Sequence, residues 1–141
     1  MTQHTSSRPS PAFVGASWSA MIVGILAYLT GLWNAQMQLN EKGYYFTILL
    51  YGCFAAVSLQ KTLRDRAEGL PVTGLYVGLC WTSLIASICL LTIGLWNASL
   101  MPSEKGFYAM SFVLTLFAIV AVQKNVRDLA AAGEPPVAQQ A

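Results

Sequence analysis

Charged residues vanish from this chain four times over. No Asp, Glu, Lys or Arg lies between Pro9 and Asn40, between Tyr44 and Gln60, between Leu70 and Ser103, or between Phe107 and Gln123. A bilayer core of about 30 Å takes about 20 apolar helical residues, fewer where flanking basic side chains snorkel. The pattern therefore predicts four transmembrane helices, with spans at about 12–33, 43–61, 74–96 and 106–124. With their polar ends the helices are expected to run from about Ala12 to Trp33, Glu41 to Thr62, Thr73 to Trp96 and Ser103 to Leu129. Helix follows because an open chain cannot leave backbone groups unpaired in hydrocarbon. The polar–apolar alternation of a membrane β-strand is absent.

The pattern is also written twice. Gly31-Leu32-Trp33-Asn34-Ala35, Glu41-Lys42-Gly43, Gln60-Lys61 and Arg64-Asp65 recur as Gly94-Leu95-Trp96-Asn97-Ala98, Glu104-Lys105-Gly106, Gln123-Lys124 and Arg127-Asp128. The offset is 63 residues throughout, as from Gly31 to Gly94. The expected fold is all-α: two tandem helical hairpins, 11–68 and 69–129, between disordered cytoplasmic tails at 1–10 and 130–141. Two spans per copy insert both copies the same way up, so their pseudo-symmetry axis lies along the membrane normal. Asn40 and Ser103 are expected to cap the second and fourth helices, with Glu41 and Glu104 on the positive ends of the helix dipoles. Gly69 and Pro71 are expected to end the second helix.

Composition adds class and orientation. Of the 141 residues, 55% are hydrophobic and 10% charged, too oily for a soluble fold of this size. Six basic residues (Arg8, Lys61, Arg64, Arg66, Lys124, Arg127) fall on one side of the expected bilayer, against Lys42 and Lys105 on the other. The positive-inside rule then places both termini and the central turn in the cytoplasm. The first stretch is longer than a signal-peptide core, and its repeat partner lies in mid-chain. The basic residues gather on no single face, which argues against nucleic acid. Three cysteines inside apolar stretches are expected to be small core residues rather than disulfides.

Packing in lipid relies on small residues. Ala20, Gly24, Ala27 and Gly31 share one face of the first helix, and Gly74, Gly78 and Gly94 mark the third. The expectation is that helices one and three meet at the centre through Gly24, Gly31, Gly78 and Gly94, with two and four outside. The alternative is that the small faces join separate chains in a homo-oligomer or bind another membrane protein.

Candidate chemistry is sparse. No acidic, basic or His side chain lies in mid-span, where proton relays and substrate counter-charges would sit. The single His4 offers no axial pair for haem and no catalytic partner set. No catalytic residue, cofactor or metal site is expected. Trp33, Asn34, Trp96 and Asn97 form a symmetric pair near the outer surface. One reading is interfacial anchoring with helix capping by Asn. The other is a small polar vestibule where both Asn amides and the Glu-Lys pairs converge. Lys61, Arg64, Lys124 and Arg127 read as topology anchors or as contacts for anionic lipid headgroups.

The doubled GLWNA … EKGxY … QKxxRD pattern resembles the YiaA/YiaB family of bacterial inner-membrane proteins, built on the YiaAB two-helix domain. With two copies in a chain of this length it is most similar to the YiaA members. The resemblance covers about Ser10 to Asp128 and departs from the pattern only at Pro102. It implies a cytoplasmic-membrane location and supplies no catalytic or ligand residue. The function expected is a non-enzymatic scaffold or accessory protein acting through helix or lipid contacts. The alternative is a small transporter or channel for a neutral or weakly polar solute.

Overall fold

A computed structural model describes residues 8–133. His4 and most of both expected tails lie outside them. The described part of the chain is four helices: α1 (Pro11–Asn34), α2 (Leu39–Ala67), α3 (Gly74–Asn97) and α4 (Pro102–Ala131). Each is long and apolar enough to cross a membrane.

The helix starts repeat in kind. Ser10 Oγ accepts from the Phe13 amide at 3.2 Å to open α1, and its counterpart Thr73 accepts from Tyr76 at 3.3 Å to open α3. The other two starts correct the sequence reading. The cap positions are Gln38 and Met101, two residues ahead of Asn40 and Ser103. Their amides donate to the carboxylates of Glu41 and Glu104, at 3.0 and 3.1 Å. The glutamates therefore satisfy orphan backbone donors directly, besides facing the dipole. The Asn34 and Asn97 side-chain amides donate back one turn to the Thr30 and Ile93 carbonyls at 2.9 and 2.8 Å, closing α1 and α3.

The charged segment expected to be a turn after Thr62 is mostly helix. Arg64, Asp65 and Arg66 extend α2 to Ala67, because the ion pairs of Arg64 and Asp65 hold that last turn. Gly69 then reverses the chain at φ +80°, with the Leu70 amide reaching back to the Asp65 carbonyl at 2.9 Å.

The order of packing corrects the expected centre. α2 and α4 lie together in the middle; α1 packs along α4, and α3 along α2. Helices one and three are the outer pair. The small residues of α1 do mark a packing face, but its partner is α4. The reason is complementarity between the copies. Gly24 lies against Thr115 so closely that an added Cβ would stand 3.1 Å from the Thr115 amide nitrogen. Gly52 faces Ser87 Oγ and the Phe112 ring. Under the 63-residue shift Gly24 corresponds to Ser87 and Gly52 to Thr115. Crossing the copies thus gives each glycine a hydroxyl-bearing partner, whereas pairing within a copy would set Gly against Gly and Ser against Thr.

A second crossed pair repeats the rule further along. Asn125 donates to Ser17 Oγ at 3.2 Å, and the equivalent positions Thr62 and Cys80 meet at 3.9 Å. The symmetry breaks at the buried aromatic core. Tyr28, fully buried, donates to the Tyr45 carbonyl at 2.7 Å and meets the rings of Tyr108 and Phe112; its counterpart in the other copy is Leu91. The cysteines divide. Cys80 is buried and Cys53 half-buried, but Cys89 is exposed on the apolar surface of α3, so only the first two serve the interior.

Candidate functional site

The doubled motifs gather at the two ends of the bundle. At one end, GLWNA of one copy meets the first turn of the other copy's second helix. Gly94 and Asn97 face Glu41, Tyr44 and Tyr45 across a cavity of about 860 Å³, which also takes in Gln36, Gln38 and Ser99. Gly31 and Asn34 face Glu104, Phe107 and Tyr108 across a smaller one of about 300 Å³. The single vestibule read from the sequence is therefore two junctions, each a hybrid of both copies, with Asn97 in the larger and Asn34 in the smaller. Trp33 and Trp96 line neither; they point outward, 82% and 84% exposed. Lys42 is turned away as well, its ammonium donating to the Trp33 carbonyl at 3.0 Å.

The packing glycines sort the same way. Gly31 sits under the Phe107 and Tyr108 rings, Gly94 under those of Tyr44 and Tyr45, and Gly24 against Thr115. Gly78 faces open space and is not a packing position. Its GxxxG spacing with Gly74 lies on the exposed side of α3.

At the other end the QKxxRD motifs clasp each other. Arg64 of α2 pairs with Asp128 of α4, and Arg127 of α4 pairs with Asp65 of α2 at 2.5 Å. Each Asp also takes the Lys one turn before it, Lys61–Asp65 and Lys124–Asp128, both at 2.7 Å. Glu68 accepts from both arginines, Arg64 at 3.1 Å and Arg127 at 2.8 Å. Arg64 and Arg127, read as lipid contacts, are instead committed between helices, while Lys61 and Lys124 stay 62% and 55% exposed. The missed signal was the repeat itself: two Arg-Asp dipeptides on adjacent helix ends can pair only crosswise without like charges meeting.

These groups lie past the charge-free stretches. Hydrogen bonds from Lys61 and Arg127 hold Asp65 below the usual carboxylate range, and Arg64 and Arg127 do the same for Glu68. Burial pushes Asp128 up, but Lys124 and Arg64 outweigh it and hold it low as well. A carboxylate depressed on folding stabilises above its unfolded pKa, and that contribution is lost as pH falls through the folded value. Melting temperature in detergent is therefore expected to hold from neutrality to about pH 5 and to drop below about pH 4. In a double-mutant cycle at fixed neutral pH, Arg64→Gln with Asp128→Asn should cost less than the two single changes together. Strict additivity would mean that the pair is not coupled.

Among the described residues no group of metal-ligating side chains comes together. What the fold defines is a membrane protein of four candidate spans, made of two fused hairpins that share both ends crosswise. The yiaA/B two helix domain matches the chain twice, at 13–65 and 76–128, and the chain belongs to that family. Inner membrane protein YiaA of Escherichia coli K12 is 60% identical over 119 residues, covering 84% of this chain and 82% of that one. Inner membrane protein YiaB of the same organism is 32% identical over 97 residues, covering 68% and 81%. The uncharacterized membrane protein YubF of Bacillus subtilis 168 is 36% identical over 62 residues, covering 43% and 71%. No solved structure matches.

Proposed function

We propose that this protein is a non-enzymatic scaffold or accessory protein of the bacterial inner membrane, working through helix faces and lipid contacts, with both termini in the cytoplasm. The observation that supports this reading is how the polar groups are spent. Among the described residues the buried polar side chains are Ser17, Thr62, Ser87, Ser111, Thr115 and Asn125, with no acid or base in that set. Ser17, Ser87, Ser111, Thr62 and Thr115 return hydrogen bonds to their own helices. Such groups serve helix contact and give a solute no charged step through the interior. The charges collect instead at the Arg end, where the positive-inside rule places the cytoplasm.

On this reading Lys61 and Lys124 are the side chains that meet anionic headgroups, and the arginines act only by holding the helix ends together. Proteoliposomes of the full chain should leak small neutral solutes no faster than empty vesicles. Crosslinking in native membranes should capture a defined membrane partner or a second copy. Solute flux well above that of empty vesicles would reverse the assignment in favour of a transporter.

A further inference from the structure

The larger cavity at the Trp end has a neighbour. An apolar groove of about 250 Å³ runs along the α2–α3 seam, lined by Thr47, Ile48, Tyr51 and Leu90 together with Gly43 and Tyr44. Tyr44 lines both spaces. Its hydroxyl donates to the Leu90 carbonyl at 2.6 Å, fixing the ring at the boundary between them. A chamber of mixed polar and apolar lining thus opens beside a greasy slot on the exposed face of the α2–α3 seam. That is the shape of a single amphiphile, head above and chain below.

The chamber also selects a head by charge. Glu41 is the charged residue lining it, and its positive neighbour Lys42 is held away at the Trp33 carbonyl. Gln36, Gln38, Asn40 and Ser99 surround the space with polar side chains, Gln38 also serving the capping box that opens α2. The Tyr44 ring, held edge to face against buried Tyr45 at 5.3 Å, offers aromatic surface to a cation. The equivalent junction in the other half is about a third of this size, and the repeat counterparts of Gln36 and Gln38, Ser99 and Met101, do not line it.

We infer that the cavity at Glu41, together with the groove below Tyr44, is a binding site for one phospholipid whose headgroup carries a primary ammonium. The ammonium takes the Glu41 carboxylate and the Tyr44 face, the amides take the phosphate and ester oxygens, and one acyl chain lies along Thr47 and Tyr51. The site rests on the lipid-contact reading above only in putting the Trp end at a membrane surface; it is separate from Lys61 and Lys124 at the opposite end.

The test is native mass spectrometry of the full-length protein exchanged into nanodiscs of equal phosphatidylethanolamine, phosphatidylcholine and phosphatidylglycerol. One phosphatidylethanolamine should stay bound after collisional release of the rest. Glu41→Gln keeps an oxygen for the Gln38 amide but removes the charge, and should lower that occupancy about fivefold. Thr47→Trp, at an exposed position, fills the groove without touching the helix cap and should lower it similarly. Equal retention of the three lipids, or occupancy unchanged in both variants, overturns the site. Binding of water-soluble glycerophosphoethanolamine as tight as that of the lipid overturns the lipid as occupant. Anionic-lipid retention through Lys61 and Lys124 is read in the same spectra, so the two assignments fail separately.

Discussion

Replacing Gly24 by leucine is expected to prise α1 off α4 and to lower the stability of the bundle by about 2–3 kcal/mol. The site leaves nowhere for the side chain to go. Even a bare Cβ there meets Thr115 Oγ1 and stands 3.1 and 3.2 Å from the Thr115 backbone nitrogen and Cα. A flexible side chain could swing aside, but a helix backbone moves only as a rod. Close approach of backbones at small residues is also the main attraction available between helices in lipid. The same change at Gly78, which meets nothing, is expected to stay within about 0.5 kcal/mol. Melting the two variants side by side in one detergent separates the roles. Equal losses would mean that α1 is not seated on Thr115.

Truncating Tyr28 to alanine is expected to cost about 2–4 kcal/mol. Lipid is as apolar as the interior, so the water-to-core transfer term is weak here. What remains is the void and the lost hydrogen bond. Tyr28 is 0% exposed, sits edge-on to Tyr108 with centroids 5.7 Å apart, and ties its hydroxyl to the Tyr45 carbonyl. Tyr28→Phe should cost only about 1 kcal/mol, the worth of the hydroxyl contact. Equilibrium unfolding in mixed micelles measures both. A phenylalanine variant as unstable as the alanine one would show that the hydrogen bond, rather than the packed ring, dominates.

The number, length and tandem arrangement of the helices are legible in the sequence, because loss of charge and the 63-residue repeat are one-dimensional signals. Which helices touch is not. A small-residue face on α1 says that something comes close; it does not say what. The partner is encoded in a mismatch between copies, Gly24 and Gly52 against Ser87 and Thr115, which emerges only once both helix pairs are laid side by side. The same holds at both ends. GLWNA and EKGxY of both copies read as one outer vestibule, yet the fold makes two junctions, each joining GLWNA of one copy to EKGxY of the other. Arg64 and Arg127 look like surface charges when read one helix at a time; they become interior ties only when the Asp65 and Asp128 carboxylates of the opposite helix are added. The expected end of α2 at Thr62 falls short of Ala67 because the pairs that keep this charged segment helical reach across to α4.

The crossed seating of α1 on α4 bears on how the molecule is made. A nascent chain emerges first half first. When α1 and α2 have entered the bilayer, the stripe of Ser17, Gly24, Tyr28 and Leu32 lacks its main seat, with Tyr28 alone tied to α2, since α4 follows later in the chain. A premature stop anywhere before Pro102 therefore leaves the earlier hairpin unfinished rather than half-functional, and quality control would meet an open surface.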